Sequence, residues 1–148
     1  MSERDSDCVF CRVVGGEIPA SLVYRDGTVT AFLDIRPVTP GHLLVIPDRH
    51  HAALADVPGE AWAQVTGVAR RLAAALRASE LRPAGVNLYV ADGEVAGQEV
   101  QHIHVHVIPR SVGDGFKIQS EALRKGPPSR DELDRHAEAI RAAFGEGR

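Results

Sequence analysis

Apolar and polar positions alternate most sharply between His102 and Val107, where His102, His104 and His106 interleave with Ile103, Val105 and Val107. A period of two is that of a half-buried strand, so the pattern predicts Ile103, Val105 and Val107 facing a core and the three imidazoles sharing the other face. Same-face side chains on a strand stand roughly 6.5–7 Å apart, close enough for neighbouring imidazoles to act on one phosphate or share one metal shell. A solvated strand face is normally written with Thr, Lys, Glu or Ser, so His at three alternate positions points to chemistry.

The rest of the chain reads as a mixture of short strands and helices. Cys8 to Val14 forms one or two helical turns stopped at Gly15-Gly16, with positions 8 and 11 on one face. Leu22 to Arg25 and Val29 to Ile35 make a hairpin around Asp26-Gly27. Arg36-Pro37-Val38-Thr39-Pro40-Gly41 is a connection of fixed shape, because two prolines restrict it. His42 to Pro47 is a mostly buried strand. From about Val57 to Ser79, Ala61, Val65, Val68, Leu72, Ala75 and Leu76 recur every three or four residues, which predicts a long amphipathic helix. Val86 to Val90 is another strand, and Ala91 to Gly97 a glycine-punctuated loop whose Gly93 and Gly97 suit either a turn or an anion cradle. After an irregular stretch from Ser111 to Pro128, Ser129 and Glu132 form a capping box ahead of Leu133, Ala137, Ile140 and Phe144, predicting a C-terminal helix. The sum is an α+β domain with an antiparallel sheet of about five strands, a long helix and a C-terminal helix, expected over 8–148 behind a flexible leader at 1–7, with an extension from about 111.

Composition narrows the functions open to such a domain. A chain of 148 residues supports one compact core, and 44% hydrophobic with 25% charged residues is a globular composition. The net charge of -3 without a dense Lys/Arg run argues against a nucleic-acid or membrane partner. The polar N-terminus lacks the apolar core of a signal peptide, so a cytoplasmic location is expected. Cys8 and Cys11 are the only cysteines, and their spacing suits a metal clip or a redox pair better than a disulfide scaffold. The redox reading wants a βαβ setting that this meander of strands does not supply, which favours metal. Asp34, a carboxylate at the end of an apolar strand, needs a partner.

These segments, Cys8-Val9-Phe10-Cys11, Gly16 to Ala20, Ala31 to Ile35, Pro40 to Pro47, His50, Ala96-Gly97-Gln98 and His102 to His106, together resemble the histidine triad (HIT) superfamily, and in particular its bacterial Hint-like members with a Cys-x-x-Cys motif. The resemblance implies a nucleotide-binding hydrolase or transferase that cleaves a nucleoside 5′-monophosphate from a phosphoramidate or dinucleoside polyphosphate through a nucleotidyl-histidine. It implies His104 as nucleophile, and His106 with Gln98 and the amides near Gly97 as partners of the phosphate oxygens. It places His42 nearby as a hydrogen-bond partner. It puts Phe10, Val13, Ile18, Phe32 and Ile35 around a purine base, Asp34 on the ribose and Glu99 on the leaving-group side, although read without the family most of the apolar ones are simply core residues. Cys8, Cys11, His50 and His102 resemble a tetrahedral structural zinc set, with His51 open as a substitute for His50. A homodimer joined across the long helix and a sheet edge is also implied. Two positions depart from the Hint branch, Glu99 where a small hydroxyl residue is common and Ala91 where an Asn is. Two rivals stand beside this reading: a non-enzymatic nucleotide-binding or adaptor protein, and a metalloenzyme with zinc held by the triad itself.

Overall fold

A computed structural model describes residues 4–117 and 126–146. The chain divides into two compact units, 1–116 and 117–148. The first is a five-stranded antiparallel sheet in the order β1-β2-β3-β5-β4. Its strands are β1 (Leu22–Arg25), β2 (Val29–Leu33), β3 (Leu43–Pro47), β4 (Gly85–Val90) and β5 (Val105–Arg110). Helix α1 (Val9–Val14) precedes the sheet and helix α2 (Gly59–Ala78) joins β3 to β4. The second unit holds helix α3 (Arg130–Glu146), whose Glu132 amide donates to Ser129 Oγ at 3.2 Å, the cap that Ser129 predicts. Residues 118–125 of the expected irregular stretch, and 1–3 of the expected leader, lie outside the described residues.

The sheet buries both faces, and this explains why β3 reads as an unbroken apolar run. Val29, Ala31, Leu43, Val45, Val105 and Val107 pack against Val65, Val68, Ala69, Leu72 and Leu76 of α2. On the reverse face Phe32, Leu44 and Ile46 meet Phe10, Cys11, Val13 and Val14 of the α1 segment. All five residues of β3 are therefore buried. Alternation along β5 sends Val105 and Val107 to α2 and leaves His106 on the α1 face.

Two boundaries differ from the sequence expectation. The strand begins at Val105 rather than His102, because the Ile103 amide donates to the His51 carbonyl at 2.7 Å and pulls the first two triad residues off the sheet ladder. Strand β2 ends at Leu33, since the Asp34 amide turns to the His42 carbonyl at 3.0 Å, which leaves Asp34 and Ile35 in the connection. Ile35 is 90% exposed and forms no part of the core.

The connection between β2 and β3 depends on Gly41. Its φ is +88°, and a Cβ there would fall 2.5 Å from Leu81 Cδ1, 3.3 Å from Pro109 Cγ and 3.4 Å from Leu76 Cδ2. Gly41→Ala combines a left-handed backbone with overpacking, and is expected to destabilise by about 1–3 kcal/mol in chemical denaturation. An unchanged denaturation midpoint would contradict that account.

Candidate active site and metal centre

Four side chains from three separate segments converge beside α1. Cys8 Sγ lies 3.4 Å from His102 Nδ1, while Cys11 Sγ lies 3.5 Å from His50 Nδ1 and 3.6 Å from His102 Nδ1. All four donor atoms lie within 4.8 Å of one another. Bond lengths of about 2.3 Å to sulfur and 2.0–2.1 Å to nitrogen in a tetrahedral site put S and N donors roughly 3.5–3.6 Å apart, so these residues fit a tetrahedral Zn2+. The surrounding backbone fits as well. Cys8 Sγ accepts from the Cys11 amide and Cys11 Sγ from the Asp5 amide, each at 3.4 Å. His102 Nε2 donates to the Pro47 carbonyl at 2.8 Å, which leaves the Nδ1 lone pair facing the sulfurs. Without a cation, burial pushes the Cys11 thiol up to about 11, whereas a bound cation reverses that preference. His50 rather than His51 joins the cluster; the His51 carbonyl instead receives the Ile103 amide.

The other two triad imidazoles turn away from the cysteines, and backbone groups set their tautomers. His104 Nδ1 donates to the His102 carbonyl at 2.8 Å, so its Nε2 carries the lone pair. His42 Nδ1 accepts from the Val38 amide at 3.0 Å, so its proton is on Nε2, which donates to His106 Nδ1 at 2.9 Å. His106 therefore carries its proton on Nε2. The result is a nucleophilic nitrogen on one ring and an N–H donor on the next, with centroids 4.8 Å apart. Phe10 stands edge-on to His104 at 5.2 Å and Tyr89 to His106 at 5.5 Å. Asp34, His42 and His106 also lie close enough to surround a cation. The Nε2 proton of His42 sits between them, and Asp34 Oδ2 at 3.7 Å from that nitrogen polarises it.

Burial keeps these rings neutral. It lowers the pKa of His106 to about 4, helped by His104 and His42 and opposed by Asp34. It also lowers His42 and His104, each opposed by Asp34. Between pH 6.5 and about 4 the unfolded chain binds a proton at position 106 that the folded chain refuses. Stability is therefore complete above the unfolded value and is lost as pH falls toward the folded one. For His106 alone this amounts to about 3 kcal/mol at most, and urea titrations at stepped pH should show the midpoint falling across that window. A midpoint flat from pH 7 to 4.5 would contradict it.

The remaining expected site residues divide by position. Phe10, Val13 and Phe32 are buried in the α1 cluster, with Phe10 and Phe32 edge-to-face at 5.4 Å, and Ile18 packs partly buried against it. Asp34 accepts the Arg36 amide at 2.8 Å through Oδ1 and keeps Oδ2 toward His42. Gly97 takes a left-handed φ of 93°. Gln98 is buried, but its amide is spent on backbone: Oε1 accepts from the Gly93 amide at 2.8 Å, and Nε2 donates to the carbonyls of Ala52 at 2.7 Å and Val100 at 3.1 Å. In this arrangement Gln98 latches the loop that leads into the triad, and its side chain does not point a free donor at a phosphate. Glu99 is exposed and Ala91 is buried.

The groups that sequence reasoning missed are main-chain ones, the Val38 amide and the Pro47 carbonyl. The fixed shape of Arg36 to Gly41 was the available signal for the first. Nothing in the sequence signals the second.

A family model described as the HIT domain matches residues 15–113. An uncharacterized HIT-like protein of Mycobacterium tuberculosis is 41% identical over 128 residues, covering 86% of this chain and 88% of that protein. The adenosine 5′-monophosphoramidase HNT1 of Saccharomyces cerevisiae is 38% identical over 106 residues, covering 72% of this chain and 64% of that protein. Among solved structures, a Zn-bound histidine triad family protein from Mycobacterium smegmatis superposes with a TM-score of 0.73 at 40% identity, covering 96% of this chain and 98% of that one.

Proposed function

The chain belongs to the HIT domain family, and on that premise we propose that it is a nucleotide hydrolase or transferase working through a nucleotidyl group on His104. The observation that carries this reading is the pair of opposed tautomers, a lone pair on His104 Nε2 beside a proton on His106 Nε2.

The substrate is a purine nucleoside 5′-phosphoramidate or dinucleoside polyphosphate. The ribose hydroxyls donate to Asp34, and the base lies near Phe10, Val13, Ile18 and Phe32, with the exposed Ile35 free to cover it. His106 Nε2–H donates to a non-bridging oxygen, and the loop of Gly97 to Glu99 borders the leaving group. His104 Nε2 then attacks phosphorus. The new N–P bond forms as the bond to the leaving group breaks, and a departing amine takes a proton from solvent. Positive charge on the nucleotidylated ring strengthens its Nδ1–H bond to the His102 carbonyl, a charge-assisted contact poised before the reaction. Water next attacks phosphorus, the electron pair returns to Nε2, and the proton released by water balances the one taken up earlier. His42 is a positioning residue here, since its Nε2–H fixes the ring and tautomer of His106.

Cys8, Cys11, His50 and His102 hold a structural zinc in this reading, which closes α1, the segment after β3 and the start of the triad around one point. The M. smegmatis structure and the donor distances support it. Among the described residues no helix is long and apolar enough to cross a membrane, in keeping with a cytoplasmic place of action. We further propose a homodimer, because β4 ends the sheet and presents Leu88, 51% exposed, and Tyr89 on an open edge.

Intact-protein mass spectrometry after mixing with adenosine 5′-phosphoramidate and an acid-free quench tests the covalent step. A transient gain of one adenylyl mass is expected. Tight nucleotide binding with neither adduct nor turnover would replace this reading with that of a binding or adaptor protein.

A further inference from the structure

One residue ahead of the cysteines, Asp5, meets three of the four residues assigned to the zinc. Its amide donates to Cys11 Sγ at 3.4 Å. Its carbonyl accepts the Cys8 amide at 3.0 Å. Its carboxylate divides between two tasks: Oδ1 accepts the Asp7 amide at 2.9 Å, and Oδ2 stands 3.9 Å from His50 Nε2. A carboxylate of this kind is ordinarily a solvated surface group, and Asp5 is half-exposed. Its backbone, however, is fixed. The turn from Asp5 closes on the Cys8 amide, and Arg4 lies back against the end of α1, its Nη1 3.2 Å from the point a Cβ at Gly15 would occupy.

The chemistry of His50 gives that carboxylate a use. His50 Nδ1 faces Cys11 Sγ at 3.5 Å, so a metal there takes the Nδ1 lone pair and the ring proton stays on Nε2. The same division holds at His102, whose Nε2–H donates to the Pro47 carbonyl at 2.8 Å. The two imidazole ligands thus have different outer partners, a neutral carbonyl for the fully buried ring and a carboxylate for the partly buried one. A separation of 3.9 Å is within ion-pair range and too long for a hydrogen bond, so the attraction is between charges. Two thiolates alone would repel Asp5. A dication among them reverses the sign, and by drawing electrons from the imidazole it makes the ring N–H a stronger partner for a carboxylate.

We propose that Asp5 is an outer partner of the zinc centre, its carboxylate facing the Nε2–H of metal-bound His50 and its amide bonded to Cys11 Sγ, and that it slows release of the ion. The inference rests on the proposed structural zinc and extends that centre to a residue outside the donor set. Removing such a partner lowers metal affinity by about tenfold to a hundredfold. Because Asp5 is half-exposed, the lower end of that range applies and salt shrinks the effect.

The test follows zinc transfer from the full-length, zinc-loaded protein to excess pyridylazoresorcinol, beside equilibrium competition with a chelator of known affinity. Asp5→Asn removes the charge and keeps both backbone contacts, together with an acceptor for the Asp7 amide. It is expected to hold its full complement of zinc, to release it about tenfold faster at low salt, and to converge on the unaltered protein as salt rises. A role through the turn alone would also speed release, so the same substitution is made in His50→Cys, which puts a thiolate in place of the ring and its N–H. There Asp5→Asn should leave release unchanged or slow it, since the carboxylate no longer faces a ring proton. Equal acceleration in both backgrounds, acceleration that persists at high salt, or a low-salt release rate matching the unaltered protein overturns the assignment. Cobalt substitution reports on the zinc reading separately. A thiolate-to-cobalt charge-transfer band of the same strength in the unaltered protein and Asp5→Asn is expected, because the donor set is untouched. With that band present and release indifferent to Asp5, the zinc centre stands and Asp5 has no part in it. If the unaltered protein gives no such band and holds no zinc, the metal reading fails and the Asp5 assignment falls with it.

Discussion

His104→Asn should abolish the nucleotidyl adduct and lower kcat by about 10⁴-fold or more, while adenosine monophosphate still binds and the melting temperature stays near that of the unaltered protein. The size follows from removing the only atom that bonds to phosphorus, a loss typical of a covalent nucleophile. Asn is the informative replacement. Its side-chain N–H can still donate to the His102 carbonyl, which accepts from His104 Nδ1 at 2.8 Å, so the local fold keeps its polar satisfaction, but it has no nucleophilic nitrogen in the Nε2 position. Steady-state kinetics and adduct mass on the same preparation decide the matter. Turnover within tenfold of the unaltered protein would mean that the reaction does not pass through His104. His106 supplies the contrast. It makes no bond to phosphorus in this scheme, so His106→Asn should weaken the reaction and still leave a detectable adduct.

Much of this arrangement was legible before any coordinates. The three- and four-residue spacing of Val65, Val68, Leu72 and Leu76 gives α2, because a single face has to cover one side of the sheet. Asp26 and Gly27 give the hairpin: the Asp26 carboxylate accepts both following amides, from Thr28 and Val29, each at 2.8 Å, and Gly27 takes a φ of +88°. The triad itself stands out by composition. What the sequence pattern could not give is how the triad divides. Alternation alone puts His102, His104 and His106 on one face as equals. The folded chain bends ahead of Val105, sends His102 to the cysteines, and gives each remaining ring a different partner, the His102 carbonyl for His104 and the His42 ring for His106. The groups that orient His102 and His106 lie far off in sequence, with Pro47 set against His102 and Val38 acting on His106 through His42. Periodicity reports local geometry, whereas His102 and His106 take their orientation from residues that the pairing of β3 with β5 brings alongside. Gln98 shows the same limit: the resemblance implied a phosphate donor, but its side-chain nitrogen donates to the Ala52 and Val100 carbonyls while its oxygen accepts from the Gly93 amide.

The coupling of these two halves makes metal removal the largest stability effect expected of any single treatment. His102 serves both sites at once: its ring faces Cys8 and Cys11, and its carbonyl orients His104. Cys11→Ser, or exhaustive chelation, should remove the zinc proposed for the cluster and cost several kcal/mol. Structural zinc binding contributes on the order of 10 kcal/mol where it drives folding outright. Here the core between the sheet and α2 contains none of the four zinc ligands, so only part of that is lost. For a chain of this length each kcal/mol moves the melting temperature by about 2–4 °C, so a drop of about 10–20 °C is expected. The same treatment should lower kcat more than it raises KM. The His102 carbonyl would then sit on an unanchored segment and orient His104 less well, whereas Asp34, proposed to hold the ribose, lies outside the zinc cluster. Metal analysis, differential scanning calorimetry and kinetics on one preparation separate these effects. A zinc content near zero in the purified protein, or a melting temperature indifferent to chelation, would remove the metal from the account. A large drop in melting temperature with kcat intact would keep the zinc as a clip and sever its link to the nucleophile.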